Sequence, residues 1–402
     1  MKIKKFLFTI GGDIRPKFNH RSYIFKSPVF MPVGSKILIN IVLDFLSRAE
    51  IDLSNVLLIS DFMEPIEKQL LSKIIYGKSC KHISLEKPTQ GVNQTLLLGL
   101  DFLLNEGVIM ESDLVFVSPI TSIFPDMKEL IEFIENSNHE NYAIIGNERF
   151  KKGSIDDITI STIDVKHEDG SLEIYNKDSM EKSGYFFTGA FTATVEQILT
   201  VGKSIKRNDD LVEFVKGFHE RGSLKLYRTS VLDFGHEINY PYSKISILNS
   251  RFFNSFDVNK LVPILEKRST NKQKLRDEFE YYNSLPNELK VLFPAVLEYK
   301  EDNEYAYLKM EYYGYETLAN LYLFYEINEG HLYRIYEKLM NIIFLFKSYK
   351  PDWDLPTFLE CFKKIYVQKT EDRLSKFIQD LDNHTRGLLV DKRFYKNKRQ
   401  LL

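Results

Sequence analysis

Two stretches of this chain carry apolar residues with almost no alternation, and they restrict its fold more than anything else in it. Lys5 to Ile10 runs into Gly11-Gly12, and Asp113 to Ser118 is likewise continuously apolar. Such a strand presents apolar side chains to both faces of its sheet. Both faces must then be covered, as happens when parallel strands are joined by helices. The intervening segments fit that plan. Ser27 to Ile39 leads into a helix on which Leu38, Val42, Phe45 and Leu46 recur at helical spacing as a core face, followed by a strand from Asn55 to Ser60. Leu85 to Gln94 precedes another apolar helix, Thr95 to Leu104. This order predicts a doubly wound α/β domain.

With 402 residues the chain has room for two domains and ample core. Its net charge of −2 provides no bulk attraction for nucleic acid, so no nucleic-acid partner is expected, while anionic small molecules stay open. Cys80 and Cys361 are the only cysteines, which excludes a disulfide framework or a four-thiolate metal site and suits a reducing, cytoplasmic compartment. Met1 to Gly12 is basic and then apolar like a signal peptide, but the apolar run is too short for one and far too short for a transmembrane segment. It reads as a buried first strand.

A glycine loop at the carboxyl end of a parallel strand offers backbone N–H groups to phosphate, so Gly11, Gly12 and Arg15 are candidates to hold a triphosphate. A plain strand-ending turn is the alternative. Farther along, Ile158 to Val165 and Ser171 to Tyr175 predict a hairpin turning at Glu168-Asp169-Gly170, with His167 and Glu168 as solvated residues beside the turn. His219, on a helical stretch from Asp210 to Glu220, reads as a surface histidine.

Five pieces in order, Gly11-Gly12-Asp13-Ile14-Arg15, Pro28 to Ile39, Pro88 to Gln94, Thr188-Gly189-Ala190-Phe191 and Leu232-Asp233-Phe234-Gly235-His236, resemble the landmarks of sugar-1-phosphate nucleotidyltransferases. The resemblance implies a mixed-sheet, GT-A-like α/β fold over residues 1–248. It also implies a reaction joining a nucleoside triphosphate to a sugar or polyol phosphate with release of pyrophosphate, assisted by Mg²⁺. On this resemblance Arg15 and Lys26 would neutralise phosphate charge, Asp233 would be catalytic and hold the metal, and Pro88 and Gly91 would cup the base. Thr188 and Gly189 would wall the sugar pocket. The sequence departs from the pattern twice. Ser27 occupies the lysine position before Pro28, with Lys26 one residue away, and the strand that should end in a metal aspartate ends in Ser118-Pro119. Water or substrate phosphate can replace one metal carboxylate, and Asp61 or Asp126 could also reach in. The expectation is a degenerate site, in which Asp233 is either the surviving metal ligand or a turn aspartate capping local amides.

Residues 249–402 change texture and become dense in aromatics. Asn254 to Asn259 has turn character, and Leu261 to Glu266 predicts a strand ending at Lys267. Asn271 to Leu285 predicts a helix with Leu275, Phe279 and Tyr282 on one face, so that Glu278 can approach Lys267. Leu292 to Glu298 and Glu304 to Met310 complete the set. This order resembles the N-terminal lobe of aminoglycoside and choline kinase-like proteins, an α+β fold followed by helices. The resemblance implies that Lys267 holds ATP phosphates, Glu278 orients it, and the backbone from Met310 to Tyr313, with Met310 and Tyr312 as its named contacts, binds adenine. Lys267 as one more exposed lysine is the alternative. No His-Gly-Asp catalytic loop follows; the last histidine, His384, lies in Asn-His-Thr-Arg-Gly, so no kinase activity is expected. Phe344, Leu345 and Trp353 read as core, and the basic stretch Lys392 to Arg399 as a solvated tail, with a frayed helix, a membrane-surface or partner contact, or a truncation scar as the alternatives.

The fusion also resembles proteins of bacterial capsule loci. It implies a capsule or surface-polysaccharide biosynthesis protein that binds a nucleotide or nucleotide-sugar. The alternatives are a non-catalytic scaffold of a biosynthetic complex and a truncated small-molecule phosphotransferase.

Overall fold

The chain was analysed as a computed structural model that describes residues 2–13, 15, 24–34, 36–137, 139–150, 160–165, 171–179, 183–207, 209–236, 239–247, 254–258, 264–313, 315, 317–324, 327–349, 354–375, 388–390 and 393–395. His167, Glu168, Trp353 and His384 lie outside them, as do most of the basic stretch 392–399 and the 168–170 turn. The chain divides into two compact units, Met1–Asn328 and Glu329–Leu402. The expected 249–402 module is therefore distributed over both.

A nine-stranded mixed sheet organises the first unit. Strand β1 (Lys5–Ile10) lies between β2 (Val56–Ser60) and β4 (Leu114–Pro119), parallel to both, and β3 (Lys81–Ser84) continues in parallel beyond β2. The far side is antiparallel and carries β5 (Asn141–Phe150), β6 (Thr162–Val165), β7 (Leu172–Tyr175) and β8 (Gly184–Thr194). There β8 pairs with β4, β5 and β6, while β7 pairs with β6 as the expected hairpin. Finally β9 (Leu224–Thr229) runs parallel to β5.

The uninterrupted apolar character of the central strands now has its cause. Phe6, Phe8, Val56, Leu58 and Phe116 enter one core, and the intervening Leu7, Leu57, Ile59, Val115 and Val117 enter another. Helices α1 (Leu38–Arg48), α2 (Pro65–Ile75) and α4 (Met127–Asn136) cover the first face through Leu43, Leu71 and Leu130. Helices α3 (Val92–Asn105), α5 (Val195–Gly202) and α6 (Val212–Glu220) cover the second through Leu100, Ile198 and Phe214. The sheet is doubly wound, as the sequence predicts. Because β2 and β3 lie to one side of β1 and β4 to the other, the winding reverses between β1 and β4. A crevice opens at their carboxyl ends.

A second, antiparallel sheet contains β10 (Asn254–Val258), β11 (Ile264–Ser269), β12 (Val296–Glu301) and β13 (Ala306–Glu311), in the order β10-β11-β13-β12. A helix, Lys272–Ser284, packs on it through Leu275, with Phe279 and Tyr282 partly buried. Two expectations are corrected here. Asn254 to Val258 is a strand rather than a turn, because it gains a complete antiparallel register with β11; pairing outweighs weak local propensity. The strand expected from Leu292 begins only at Val296, after a short helix at Asn287–Lys290 that follows Pro286.

In the second unit, helix Glu329–Ser348 and helix Leu355–Phe362 contain no buried residue. Phe344, expected in a core, is 58% exposed; Leu345 is half-buried. No helix among the described residues is long and apolar enough to cross a membrane.

Candidate binding cleft at the switch point

The crevice between β1 and β4 holds a cavity of about 370 Å³, a size common for small-molecule sites. Each of the five sequence landmarks contributes to its wall: Gly11, Gly12 and Asp13; Pro28; Gly91; Thr188 and Gly189; and Asp233, Gly235 and His236. Thr9, Pro119 and Ser122 complete the β1–β4 side.

Asp233 is placed by a short ladder in which it pairs with Ser122 and Leu232 pairs with Ile123, just beyond the end of β4. Two aromatics of the same stretch secure it. Phe234 and Tyr240 are buried with rings 6.0 Å apart, and the Tyr240 hydroxyl donates to the Pro32 carbonyl at 2.5 Å. The carboxylate is buried and already bonded. Oδ1 accepts the Gly235 amide at 2.9 Å, while Oδ2 lies 2.6 Å from His236 Nδ1 and accepts Asn239 Nδ2 at 2.7 Å. Burial alone would raise this carboxyl, but the His236 charge and hydrogen bond, Asn239 and the Gly235 amide overcome it and hold Asp233 below the ordinary aspartate range.

Opposite, β8 breaks register between Phe187 and Phe191, as strands beside binding sites commonly do. The break contains Thr188 and Gly189. The Thr188 hydroxyl donates to the Ile144 carbonyl at 2.7 Å, and its own carbonyl accepts Ser122 Oγ at 2.8 Å, so Thr188 cross-links the wall. Gly189 has φ +79°, and a Cβ there would lie 2.8 Å from Pro119 Cγ. The ring that stands where the resemblance expects an aspartate therefore packs directly under the Thr188–Gly189 wall.

The cations assigned to phosphate are engaged elsewhere. Arg15 makes a bidentate pair with Asp13, at 2.5 Å in its shortest contact, and the pair holds Asp13 below its ordinary value against the opposing effect of burial. Lys26 pairs with Glu64 at 2.5 Å and lines a smaller adjoining cavity of about 100 Å³, where Asp61 also lies. Asp61 accepts the Thr89 amide at 2.8 Å, and Asp126 stands at the start of α4. Pro88 is exposed; its loop reaches the cavity through Gly91 and Val92.

These donors do not fit a Mg²⁺ site. Mg²⁺ demands near-octahedral oxygen ligation, whereas both Asp233 oxygens already accept hydrogen bonds and the second expected ligand is Pro119. Among the described residues no three His, Cys, Asp or Glu side chains are grouped to hold a metal ion.

Sequence reading missed four residues of the wall. His236, three positions after Asp233, stands inside the last landmark with no role implied for it. Lys177, Asp209 and Asp210 come from the hairpin side, where Lys177 binds Asp209 at 2.5 Å and Asp210 accepts Ser161 Oγ at 2.6 Å. Asn93 of α3 fastens that loop by donating to the Arg207 and Asp210 carbonyls. Only the Asp233–His236 spacing was visible in sequence.

In the second sheet Lys267 and Glu278 do meet, at 2.5 Å, with side chains 15% and 25% exposed. Met310 is buried in the small core, and Tyr312 lies just past the last strand residue, Glu311.

No family model matches the chain, and no curated protein matches it. Among solved structures it is similar to a Bacillus anthracis protein assigned as a glucose-1-phosphate thymidylyltransferase, with 18% identity over 62% of this chain and 96% of that one and a TM-score of 0.47. It is also similar to a nucleoside-diphosphate-sugar pyrophosphorylase from Vibrio cholerae RC9, with 15% identity over 60% and 98% of the two chains and a TM-score of 0.44. An inositol-1-phosphate CTP transferase from T. maritima gives 14% identity over 60% and 92%, with a TM-score of 0.44.

Proposed function

We propose that residues 1–248 form a nucleotidyltransferase-like domain that binds a nucleotide or nucleotide-sugar in the switch-point cavity. What carries this reading is the convergence of all five sequence landmarks on one wall. Gly91 begins α3 at φ 146°, so a helix N-terminus faces the same space, and Gly189 keeps the opposite wall thin. In this reading the ancestral reaction joins a nucleoside triphosphate to a sugar or polyol phosphate, and its products supply capsule or surface-polysaccharide assembly in the cytoplasm. Pro119 and the engaged Asp233 leave binding without efficient transfer.

Thermal-shift measurements with nucleoside triphosphates and nucleotide-sugars test this. Stabilisation by at least one member, lost in Gly189→Val, is the expected outcome; no shift with any member sinks the reading. Pyrophosphate release with Mg²⁺ and a sugar phosphate, abolished by Asp233→Ala, would instead restore an active enzyme.

The Lys267–Glu278 pair favours a second reading, for 249–402, as a kinase N-lobe-like module that retains weak ATP affinity. ATP binding that disappears in Lys267→Met would support it, and binding indifferent to that change would remove it.

A further inference from the structure

We infer that the cleft grips the neutral, hydroxyl-rich glycosyl part of its ligand and does so without a divalent cation. This rests on the nucleotide-sugar reading above and names what that site recognises. The first observation is Thr9. It lies on β1 opposite Pro119, is fully buried, lines the cavity, and its Oγ1 has no hydrogen-bond partner among the described residues. An unbonded buried hydroxyl destabilises the free protein, and a ligand hydroxyl seated in the cavity over the ends of β1 and β4 would satisfy it.

The second observation is the charge of the wall. Asp13, Asp209, Asp210 and Asp233 face the cavity, against Lys177 and His236. Lys177 is bound to Asp209 and His236 to Asp233, while Arg15 off the wall is bound to Asp13. A triphosphate placed here would meet carboxylates whose partner cations are already committed, and among the described residues no three His, Cys, Asp or Glu side chains are grouped to hold a metal between them. Hydroxyl groups suit the same wall, since they donate to carboxylates and both donate to and accept from a threonine. The N-terminus of α3 remains as a weak anion contact, enough for a diphosphate leaving the cavity mouth.

Titration calorimetry on the full chain tests this with UDP-, GDP-, ADP-, CDP- and dTDP-glucose and the matching triphosphates, each in Mg²⁺ and in EDTA. The expected result is a nucleotide-sugar whose affinity changes less than twofold on chelation and exceeds that of its triphosphate. Thr9→Val should weaken that ligand about tenfold while raising the melting temperature of the free protein, and Thr9→Ser should retain affinity. Sugar binding that falls tenfold or more in EDTA, or a triphosphate that binds tighter in Mg²⁺, overturns the inference but leaves the nucleotide-sugar reading intact. Absence of binding by every ligand in both buffers overturns both. Thr9→Val that lowers the melting temperature of the free protein would show that the hydroxyl is already satisfied without ligand, and this too overturns the inference.

Discussion

The two sheets of the first unit hold the residues singled out in the sequence in different ways. In the nine-stranded sheet the signature segments come from five separate loops and share one enclosed wall. In the four-stranded sheet the Lys267–Glu278 pair spans a strand and the next helix, over a core of Leu275, Ala306, Leu308 and Met310. A site assembled from distant loops requires the whole sheet to be in register, whereas a neighbouring pair requires only its own hairpin and helix. The first arrangement therefore depends on the whole sheet and the second only on its own neighbourhood.

That difference can be broken by truncating each core. Phe116 is fully buried in β4 between Phe6 and Phe124, at 6.0 Å from each ring centroid. Phe116→Ala should cost about 4 kcal/mol and abolish ligand binding together with the main urea transition. Leu308→Ala should cost about 3 kcal/mol and leave cleft binding unchanged. Loss of cleft binding in Leu308→Ala would show that the two sheets are one cooperative structure.

Asp233→Ala removes a buried carboxylate and leaves the part-buried His236, Asn239 and Gly235 amide without their acceptor, and should cost about 3 kcal/mol at neutral pH. Because the native Asp233 carboxyl is depressed, its contribution is present above the unfolded aspartate value of 3.8 and is lost as pH falls through the lower native value. Denaturation curves of wild type and variant that converge in strong acid would bear this out; parallel curves would assign the loss to packing alone.

His82 on β3 probes the same sheet away from the cleft. Burial, aided by Lys68, depresses it from 6.5 to about 4, and its Nε2 lies 2.9 Å from Ser60 Oγ. Above pH 6.5 both states are neutral and nothing is lost. Between 6.5 and about 4 the unfolded chain takes up the proton first, so stability should fall by about 3 kcal/mol as pH drops. His82→Gln should flatten that slope without changing ligand affinity, measured by urea midpoints at pH 7, 5.5 and 4.5.

Much of the main fold was legible because its cause is local in sequence. Consecutive apolar residues at Phe6 to Phe8 and Leu114 to Val117 demand two covered faces, and glycines at strand ends mark loops. The landmark loops were legible as an ordered set, and so was the approach of Glu278 to Lys267, eleven residues apart on adjoining elements. What escaped depends on distant partners. The Lys26–Glu64 pair joins residues separated by 38 positions, so nothing near Lys26 signals that its ammonium is taken. Thr9 looks like any strand threonine until Pro119 is seen opposite it. Asn254 to Val258 becomes a strand only because β11 offers an edge.

Lys267→Met is the smallest and sharpest test of the comparison. The lysine is mostly buried beside Glu278, and methionine keeps its length while removing the charge, so Glu278, one-quarter exposed, can relax toward water. The expected cost is about 1 kcal/mol, below that of stranding a fully buried partner. Lys267→Met combined with Glu278→Leu should recover much of it, because two apolar chains fill the same space between β11 and the helix. If the double variant is as stable as wild type and binds ATP no differently, the pair is structural and the small sheet carries no nucleotide site. If ATP stabilises wild type but neither variant, the lysine reads phosphate, and the two sheets would share the property that now separates them.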